Sequence, residues 1–352
     1  MSLSALLAAA LGTTVLPAAA QAAPHEPPAP KVERVSVAAD GTEGDGPSRT
    51  ASITGDGRYV AFWSDAESLT PDPYQGPYDY GHVRDLKTGD VTRIKNSMGA
   101  PSISDDGRYA AHTGWGSHGI NVFLTDLSTG QIKQIDGRGF KYSASSPDIS
   151  ADGRYIAYDL QPQHPGDPQR VEVYDRETGT REVVSDGPPD SARDMVDPSI
   201  SADGRYVAYE DKGTTQIWLR DRTTGGLTRI DDGTPSTLAQ VSGNGRTVAM
   251  NGANGAYVRD LRTGKVQHFA QGRAQALSPD GRRFVYGVHG DGRSDIRLRH
   301  LPSGHETTIG HGGASPGAIA GKGRGIVYSS EDPDIVPGDT NGDSDVFVRH
   351  TH

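Results

Sequence analysis

The sequence predicts an all-β chain built from seven copies of one four-stranded unit, and three observations carry this prediction. The first is a phrase with an Asp-Gly-Arg-type turn and an apolar or aromatic stretch, which returns seven times with its central glycines 36 to 51 residues apart. The copies are SITGDGRYVAF (52–62), SISDDGRYAAH (102–112), DISADGRYIAY (148–158), SISADGRYVAY (199–209), QVSGNGRTVAM (240–250), ALSPDGRRFVY (276–286) and AIAGKGRGIVY (318–328).

The second observation is a strand–turn phrase that follows the first one within the units, as in HVRDLKTG (82–89) and VEVYDRETG (171–179). The third is glycine, 46 of 352 residues, nearly twice the usual ~7%. Such an excess is expected where every unit needs tight turns with positive φ. Strand-rich repeats with a period of about 45 residues are typical of β-propellers. We therefore predict a single seven-bladed β-propeller of four-stranded antiparallel blades.

Blade four illustrates the order of elements within a unit. Residues 199–201 form a short first strand, and Ala202-Asp203-Gly204-Arg205 forms the turn to a second strand at 206–210. Asp suits this turn because its side chain bonds the local backbone, and Gly suits it because it adopts the left-handed conformation. The third and fourth strands are predicted at 216–222 and 227–231.

The two ends of the chain predict how the ring closes. Blade seven contains strands at 318–320, 325–330 and 345–350, and then the chain stops. Residues 31–37 (KVERVSV) read as a strand without a blade of their own. We expect this N-terminal strand to complete the last blade, since ring closure removes exposed sheet edges.

The first residues read as an export signal. An apolar run from Leu3 to Leu16 precedes Ala20 and Ala22, the small residues of an A-x-A cleavage site. The expected division is a signal peptide at 1–22, a Pro-rich spacer at 23–30 and the propeller at 31–352. The mature protein is then secreted or otherwise extracytoplasmic, without membrane insertion.

Charge and cysteine content exclude several functions. The net charge is −10, with acidic residues scattered along the chain, whereas binding to nucleic acid or anionic lipid needs a basic face. There is no cysteine, which excludes disulfides, thiolate metal sites and cysteine nucleophiles. We expect a monomer that does not bind nucleic acid.

The repeat S-x-(S/T)-x-D-G-R-Y-x-A-(F/Y), followed by a D-L-x-T-G phrase, resembles the WD-like propeller repeats of TolB-type proteins. The phrase DIVPGDTNGDSDVFVRH (334–350) is similar to that of secreted bacterial TolB-like propellers. The resemblance implies export and a binding or scaffolding role. Thr247, Arg283 and Gly325 replace the motif tyrosine in blades five to seven, which predicts looser packing there.

No motif predicts catalysis. Gly313-Ala314-Ser315-Pro316-Gly317 matches G-x-S-x-G, but a nucleophile elbow needs a strand-to-helix turn, and here the match feeds a propeller strand. The histidines include no H-E-x-x-H. The recurring Asp-Gly-Arg carboxylates are expected to cap turns. The sequence predicts no required cofactor.

An acidic loop near the C-terminus is the candidate metal site. Oxygen ligands at alternate positions suit a hard cation such as Ca²⁺, and these are Asp339, Asn341, Asp343 and Asp345. The loop departs from an EF-hand, because Ser344 replaces the glycine and His350 the final Glu. One interpretation is a weak calcium site that borrows Asp332 or Asp334. The other is an Asx-rich hairpin turn.

The loops between second and third strands vary in length and lie opposite the short turns, on what we call the variable-loop face. Variable loops on a rigid scaffold often carry binding sites. The longest spans 64–81, and blade two adds a second aromatic loop. The candidate ligand-binding residues are Tyr74, Tyr78, Tyr80, Trp115 and His118. Such rings suit a glycan or an extended peptide; alternatively, they pin long loops to the rim.

Two functions from different classes fit these features. The first is a secreted, non-enzymatic scaffold that binds a protein, peptide or cell-envelope glycan through the variable-loop face. The alternative is a propeller-fold polysaccharide lyase or hydrolase with its site at the channel mouth. Catalysis would require basic groups and carboxylates in contact at that mouth.

Overall fold

The computed structural model describes residues 31–72, 76, 78–117, 119–137, 142–163, 169–185, 194–290 and 292–351. The predicted signal peptide and spacer, together with Tyr74 and His118, lie outside these residues. The strands are β1 Val32–Arg34, β2 Ser48–Ile53, β3 Tyr59–Ser64, β4 Gly81–Asp85, β5 Val91–Ile94, β6 Ser102–Ile103, β7 Tyr109–Gly116, β8 Gly119–Asp126, β9 Gln131–Gln134, β10 Tyr142–Ile149, β11 Tyr155–Pro162, β12 Arg170–Asp175, β13 Arg181–Val183, β14 Met195–Ile200, β15 Tyr206–Asp211, β16 Gln216–Asp221, β17 Gly226–Arg229, β18 Thr237–Val241, β19 Thr247–Gly252, β20 Gly255–Asp260, β21 Val266–Ala270, β22 Gly272–Leu277, β23 Arg283–His289, β24 Ser294–His300, β25 Glu306–His311, β26 Gly325–Ser330 and β27 Asp345–His350.

These strands form seven separate antiparallel sheets, six with four strands and one with three. In each four-stranded sheet the strands pair in chain order, so each sheet is a meander of consecutive hairpins. Apolar clusters lie between neighbouring sheets; one joins Val171 and Val173 of blade three to Met195 and Val207 of blade four. The predicted seven-bladed β-propeller is confirmed.

The three-stranded sheet is blade seven, and it contains both ends of the described chain. Strand β1 pairs with β27 in antiparallel register, with Val32 opposite Arg349 and Arg34 opposite Phe347. The Val35 N–H continues this contact by donating to the Val346 carbonyl at 2.7 Å. Closure by the N-terminal strand is therefore confirmed, over a shorter ladder than the predicted 31–37.

Two details of the predicted strands differ. The innermost strand of blade seven, expected at 318–320, is reduced to a bridge between Ile319 and Ile326. A turn that enters at Ser315 and a 3₁₀ turn at Gly321–Gly323 leave it no room to extend. In blade four the first strand begins earlier, at Met195, and includes a bulge. The Asp-Pro pair in that bulge made the strand unrecognisable from sequence, because Pro within a strand pattern argues against a strand except at an edge or a bulge.

Neighbouring blades meet at a repeated contact between an aromatic ring and a glycine. The Tyr155 ring lies against Gly204 of the next blade, where an added Cβ would be 2.2 Å from Cδ2 of the ring. Tyr59, Tyr109 and Tyr206 make the same contact with their next blades. Arginines cover these rings; the Arg222 guanidinium lies 4.4 Å from the Tyr155 centroid, within cation–π range.

Where the motif tyrosine is replaced, other side chains take its place. Thr247 contacts Gly281, and Arg283 contacts Gly323, each at the glycine of the following blade. A hydroxyl or an aliphatic stem covers less apolar area than a phenol ring. The contact is therefore retained in blades five and six with smaller or more polar groups.

The first prediction concerns closure. A chain that starts at Ala38 should melt well below one that starts at Lys31, because it loses β1 and the fully buried Val35. Burial of one Val contributes ~1.5–3 kcal/mol, and the unpaired β27 edge adds to the loss. The measurement is thermal unfolding by circular dichroism. Equal melting temperatures for the two truncations would contradict the role of β1.

The second prediction concerns the ring-on-glycine contact. Gly204 and Gly225 have nearly the same backbone, with φ of 70° and 71°, but a Cβ on Gly225 would meet nothing within 4 Å. Both Gly→Ala changes carry the left-handed strain of ~1–2 kcal/mol. Gly204→Ala should cost a further ~1–3 kcal/mol, because its methyl displaces the Tyr155 ring. Urea unfolding measures both; equal losses would show that the ring contact is unimportant.

Candidate functional site

The face with the Asp-Gly-Arg turns is occupied by structural interactions. Asp56 Oδ1 accepts the Arg58 N–H at 2.9 Å and the Thr54 hydroxyl at 2.7 Å. The Arg58 side chain then pairs with Asp85 at 2.7 Å, and its hydrogen bonds lower the pKa of that carboxyl. Equivalent Asp-capped turns recur in later blades. The predicted turn-capping role of these carboxylates is confirmed.

The variable-loop face carries a stacked pair of aromatic rings. The centroids of Tyr78 and Trp115 are 6.0 Å apart, with an interplanar angle of 18°. Trp115 is 53% exposed, far more than most large apolar side chains of the described chain. We call Tyr78 and Trp115 the aromatic platform. The structure therefore brings together two of the residues that the sequence singles out.

The backbone below the platform is held in place. Asn96 donates from its amide to the Trp115 carbonyl at 3.0 Å and accepts the Trp115 N–H at 2.9 Å. Its own N–H donates to Asp79 Oδ1 at 2.6 Å. Asn96 has a φ of 57°, a left-handed conformation that costs energy in a non-glycine residue. A Cβ on Gly114 would lie 2.2 Å from the Asn96 carbonyl oxygen, so this position requires glycine.

Tyr80 lies apart from the platform, in a second ring stack. Its ring stacks on Trp63 at 5.5 Å, and Arg49 lies 4.1 Å from the Trp63 ring centroid. The Tyr80 backbone bonds both Ser64 and Ser97. Tyr80 thus holds a long loop to its blade, which is the alternative that the sequence left open for these rings.

The acidic C-terminal loop meets a residue that the sequence analysis missed. Carboxylate oxygens of Asp339 and Asp345 lie within 4.8 Å of each other and of one from Glu43. Glu43 comes from the N-terminal segment and also accepts the Thr340 hydroxyl at 2.6 Å. Burial by itself would raise the pKa of Glu43, but the Thr340 hydrogen bonds and the charge of Arg34 lower it.

The guanidinium of Arg34, in β1, lies among these three carboxylates. We call the four residues Arg34, Glu43, Asp339 and Asp345 the closing cluster. The guanidinium contacts Glu43, lies 2.9 Å from Asp345 and 3.8 Å from Asp339. All four side chains are mostly buried. Burial raises the pKa of Asp345, although Ser36 donates to it at 2.6 Å. The guanidinium therefore provides a positive charge beside the carboxylates that the sequence assigned to calcium.

Of the other predicted metal ligands, Asn341 has backbone partners for both its oxygen and its amide nitrogen. Asn341 Oδ1 accepts the Asp343 N–H at 2.8 Å, and its amide donates to the Gly44 carbonyl at 2.8 Å. This is the Asx-turn geometry of the second interpretation. Asp332 instead faces Arg293 at 3.6 Å. Calcium binding by 339–345 stays a prediction, now with Arg34 as a competitor.

A central channel of about 470 Å³ is lined by the innermost strands. At one level, a side chain in each of blades two to five accepts a backbone N–H of the next blade: Ser102 from Ile149, Asp148 from Ile200, Ser199 from Val241 and Gln240 from Leu277. Burial raises the pKa of Asp148 within this belt. The same repeat position thus links blades two to six along one side of the channel.

The channel mouth on the variable-loop face collects charged groups. Asp197 lies 3.2 Å from Lys212 and accepts the Ser146 hydroxyl at 3.0 Å. Burial raises the pKa of the neighbouring carboxyls Asp159 and Glu210. Asp197 and Ser146 both have a φ near 50°, and each lies in the bulge of the first strand of its blade, where the extra residue re-aims the side chain. Sequence patterns gave no sign of this grouping.

The G-x-S-x-G match lies in a loop at the same mouth. The Ser315 carbonyl accepts the Ala318 N–H at 3.0 Å in a tight turn, and the chain continues into a bridge and a 3₁₀ turn. A nucleophile elbow joins a strand to a helix. The local geometry therefore differs from that of such an elbow, as the sequence context predicted.

No protein-family model and no curated protein matches this chain. Among solved structures, an oligogalacturonate lyase in complex with manganese is similar at 14% identity and a TM-score of 0.65, covering 91% of this chain and 93% of the lyase. The β-propeller domain of the trilobed protease from Pyrococcus furiosus is similar at 14% identity and a TM-score of 0.54, covering 81% of this chain and 91% of that domain. TolB from Acinetobacter baumannii is similar at 15% identity and a TM-score of 0.47, covering 79% of this chain and 82% of TolB.

At such low identity the likenesses to the lyase and to the protease domain show a shared fold. Among the described residues, no helix is long and apolar enough to cross a membrane. The chain has the seven-bladed β-propeller architecture that its repeats predict.

The third prediction tests calcium against Arg34. If 339–345 binds Ca²⁺ with a Kd of ~10⁻⁴–10⁻³ M, ~10 mM Ca²⁺ should stabilise the protein by roughly 1.4–2.7 kcal/mol. Arg34→Gln should increase this gain, because it removes the competing charge from the closing cluster. Mg²⁺ should do less, since it demands tighter octahedral geometry.

Melting curves with Ca²⁺, Mg²⁺ or chelator measure the effect. Lys31→Gln is the control, because the Lys31 ammonium pairs with Glu33 near the surface. Asp343→Ala combined with Asp345→Ala should abolish the calcium response. A wild-type chain without a calcium-specific shift would leave the loop as a capped turn.

Proposed function

We propose that this propeller is a binding protein whose variable-loop face takes an extended polar ligand, a cell-envelope glycan. The observation that supports it most is the aromatic platform, where Trp115 exposes half of its surface while its backbone is fixed by Asn96. An indole exposed to this extent, on a constrained strand end, offers a ligand a preformed apolar surface to bury.

The chemistry of the platform favours a sugar ring over a strongly charged ligand. Stacked rings leave an outer ring face as a flat apolar surface for the C–H face of a pyranose, and the Tyr78 hydroxyl and indole N–H supply polar contacts at the edge. The charge of −10 opposes long-range attraction of polyanions. A protein or peptide with a flat apolar segment is the other ligand that such rings accept.

Export belongs to this proposal. The segment 1–22 would direct the chain out of the cytoplasm, and a chain without cysteine folds independently of the redox state of its compartment. A cell-envelope glycan would then be within reach of the mature protein.

The fourth prediction tests the platform. Trp115→Ala, alone or with Tyr78→Ala, should weaken co-sedimentation with purified peptidoglycan sacculi two- to tenfold per ring, since an aromatic contact contributes about 0.5–1.5 kcal/mol. Ile132→Ala is the matched control, because Ile132 is also exposed, at 39%, and lies in the same blade. Trp115 fluorescence in the wild type should change on addition of soluble glycan fragments.

Sacculi from which bound proteins have been removed separate glycan from protein ligands. Equal retention of folded Trp115→Ala and wild type would refute the platform as the binding site. Retention only on untreated envelope, and not on purified glycan, would point to a protein ligand instead.

A propeller lyase or hydrolase is the second candidate, and the channel mouth favours it. Asp197, Lys212 and Ser146 are in contact there, beside the buried carboxyl of Glu210. A carboxyl with a raised pKa can act as a general acid near neutral pH. Release of new sugar ends from polysaccharides by the wild type, and its loss in Glu210→Gln, would support this function over pure binding.

A further inference from the structure

A second cavity, of about 460 Å³, opens beside the channel mouth where blades four to seven meet. Its volume lies within the range of small-ligand pockets, ~300–1,000 Å³. The aromatic platform belongs to blades one and two, so the two sites share no residue. We call this second site the donor cavity, because hydrogen-bond donors of Asn251, Arg273 and Gln275 line it.

Two amide side chains of the donor cavity are oriented by backbone donors. Asn251 Oδ1 accepts the Ala274 N–H at 2.7 Å, and Gln275 Oε1 accepts the Ala314 N–H at 3.2 Å. An N–H can only be accepted by the amide oxygen, so the assignment of oxygen and nitrogen is fixed at both residues. Each amide therefore keeps its NH₂ group for another acceptor.

Glycine makes room for one of these amides. A Cβ on Gly287 would lie 2.7 Å from Gln275 Nε2. Gln275 also occupies a bulge of β22, between the paired residues Ala274 and Ala276. Bulges re-aim side chains next to functional sites, and here the bulge directs the amide toward the cavity rather than into the blade.

Cationic groups add to these donors. Arg273 lines the cavity with an exposed guanidinium, which has no hydrogen-bond or ion-pair partner among the described residues. Lys212 also lines it, paired with Asp197 at 3.2 Å. The Glu210 carboxyl is engaged by the Leu238 N–H at 2.5 Å, and its burial favours the neutral form.

We propose that the donor cavity binds a small sugar acid, whose carboxylate is held by Arg273 and the amide NH₂ groups of Asn251 and Gln275. A guanidinium and two amides match the two oxygens of a carboxylate, which accepts several hydrogen bonds. The hydroxyls of Thr237 and Ser315 and the carboxyl of Glu210 also line the cavity and are suited to sugar hydroxyls.

Calorimetry with D-glucuronate and D-glucose tests the proposal, because these probes differ only at the carboxylate carbon. The wild-type protein should bind glucuronate at least tenfold more tightly than glucose. Asn251→Asp keeps the oxygen that accepts the Ala274 N–H and replaces the NH₂ group by a charged oxygen. This change, and Arg273→Gln, should each weaken glucuronate binding about tenfold or more.

Two controls isolate the cavity. Arg262→Gln removes an exposed arginine from a turn on the opposite face, and Ile132→Ala removes an exposed apolar side chain of blade two; both should bind glucuronate like the wild type. Acetate should bind more weakly than glucuronate, because it makes none of the hydroxyl contacts. Equal affinity for glucuronate and glucose, or unchanged affinity in folded Asn251→Asp and Arg273→Gln, would overturn the proposal, and equal binding of acetate would overturn its sugar part.

Discussion

The contact between a ring of one blade and a glycine of the next is the constraint on which this propeller depends. A sheet in a propeller has no core of its own and buries its apolar face only against its neighbours. The glycine removes the Cβ that would collide with Tyr155 or its equivalents. Its positive φ also forms the tight turn. One residue therefore sets both the end of the first strand and the spacing between blades.

The ring must also close, and here the chain uses charge as well as strand pairing. Strand β1 adds three residues to the last sheet, a short ladder for a joint that holds both chain ends. Arg34 reinforces it by contacting Glu43, Asp339 and Asp345. Buried charges are costly unless they are paired. Such a cluster therefore ties β1 to one position, and it couples closure of the fold to the state of the acidic loop.

The two faces of the propeller have different tasks because of how the strands connect. Turns between strands one and two are short, and their Asp and Arg side chains are already engaged, the Asp by a backbone N–H of the turn and the Arg by a carboxylate of the same blade. The opposite face carries long connections, left-handed residues such as Asn96 and Asp197, and amides turned outward by backbone donors. Non-glycine residues with a left-handed backbone, and amide NH₂ groups that are still able to donate hydrogen bonds, are concentrated on this second face. Both proposed sites lie there.

The sequence by itself determined the blade count, the strand order, the turn-capping carboxylates and the closure by the N-terminal strand. These features are local or periodic, so each copy repeats the same short-range chemistry and the copies support one another. It also singled out Tyr78 and Trp115, because aromatic residues at the predicted connections between strands are visible without a structure.

Only the tertiary structure decided which residues meet from distant parts of the chain. Arg34 and Glu43 join Asp339 across almost the whole sequence, and Asn251 and Gln275 come from different blades to line one cavity. These residues do not recur at the repeat spacing. Several of their partners are backbone atoms, which a sequence motif cannot indicate. Ring closure brings Arg34 and Glu43 to the acidic loop and buries the charges between them. The packing of consecutive blades brings Asn251 and Gln275 to one mouth, where no local sequence pattern could place them.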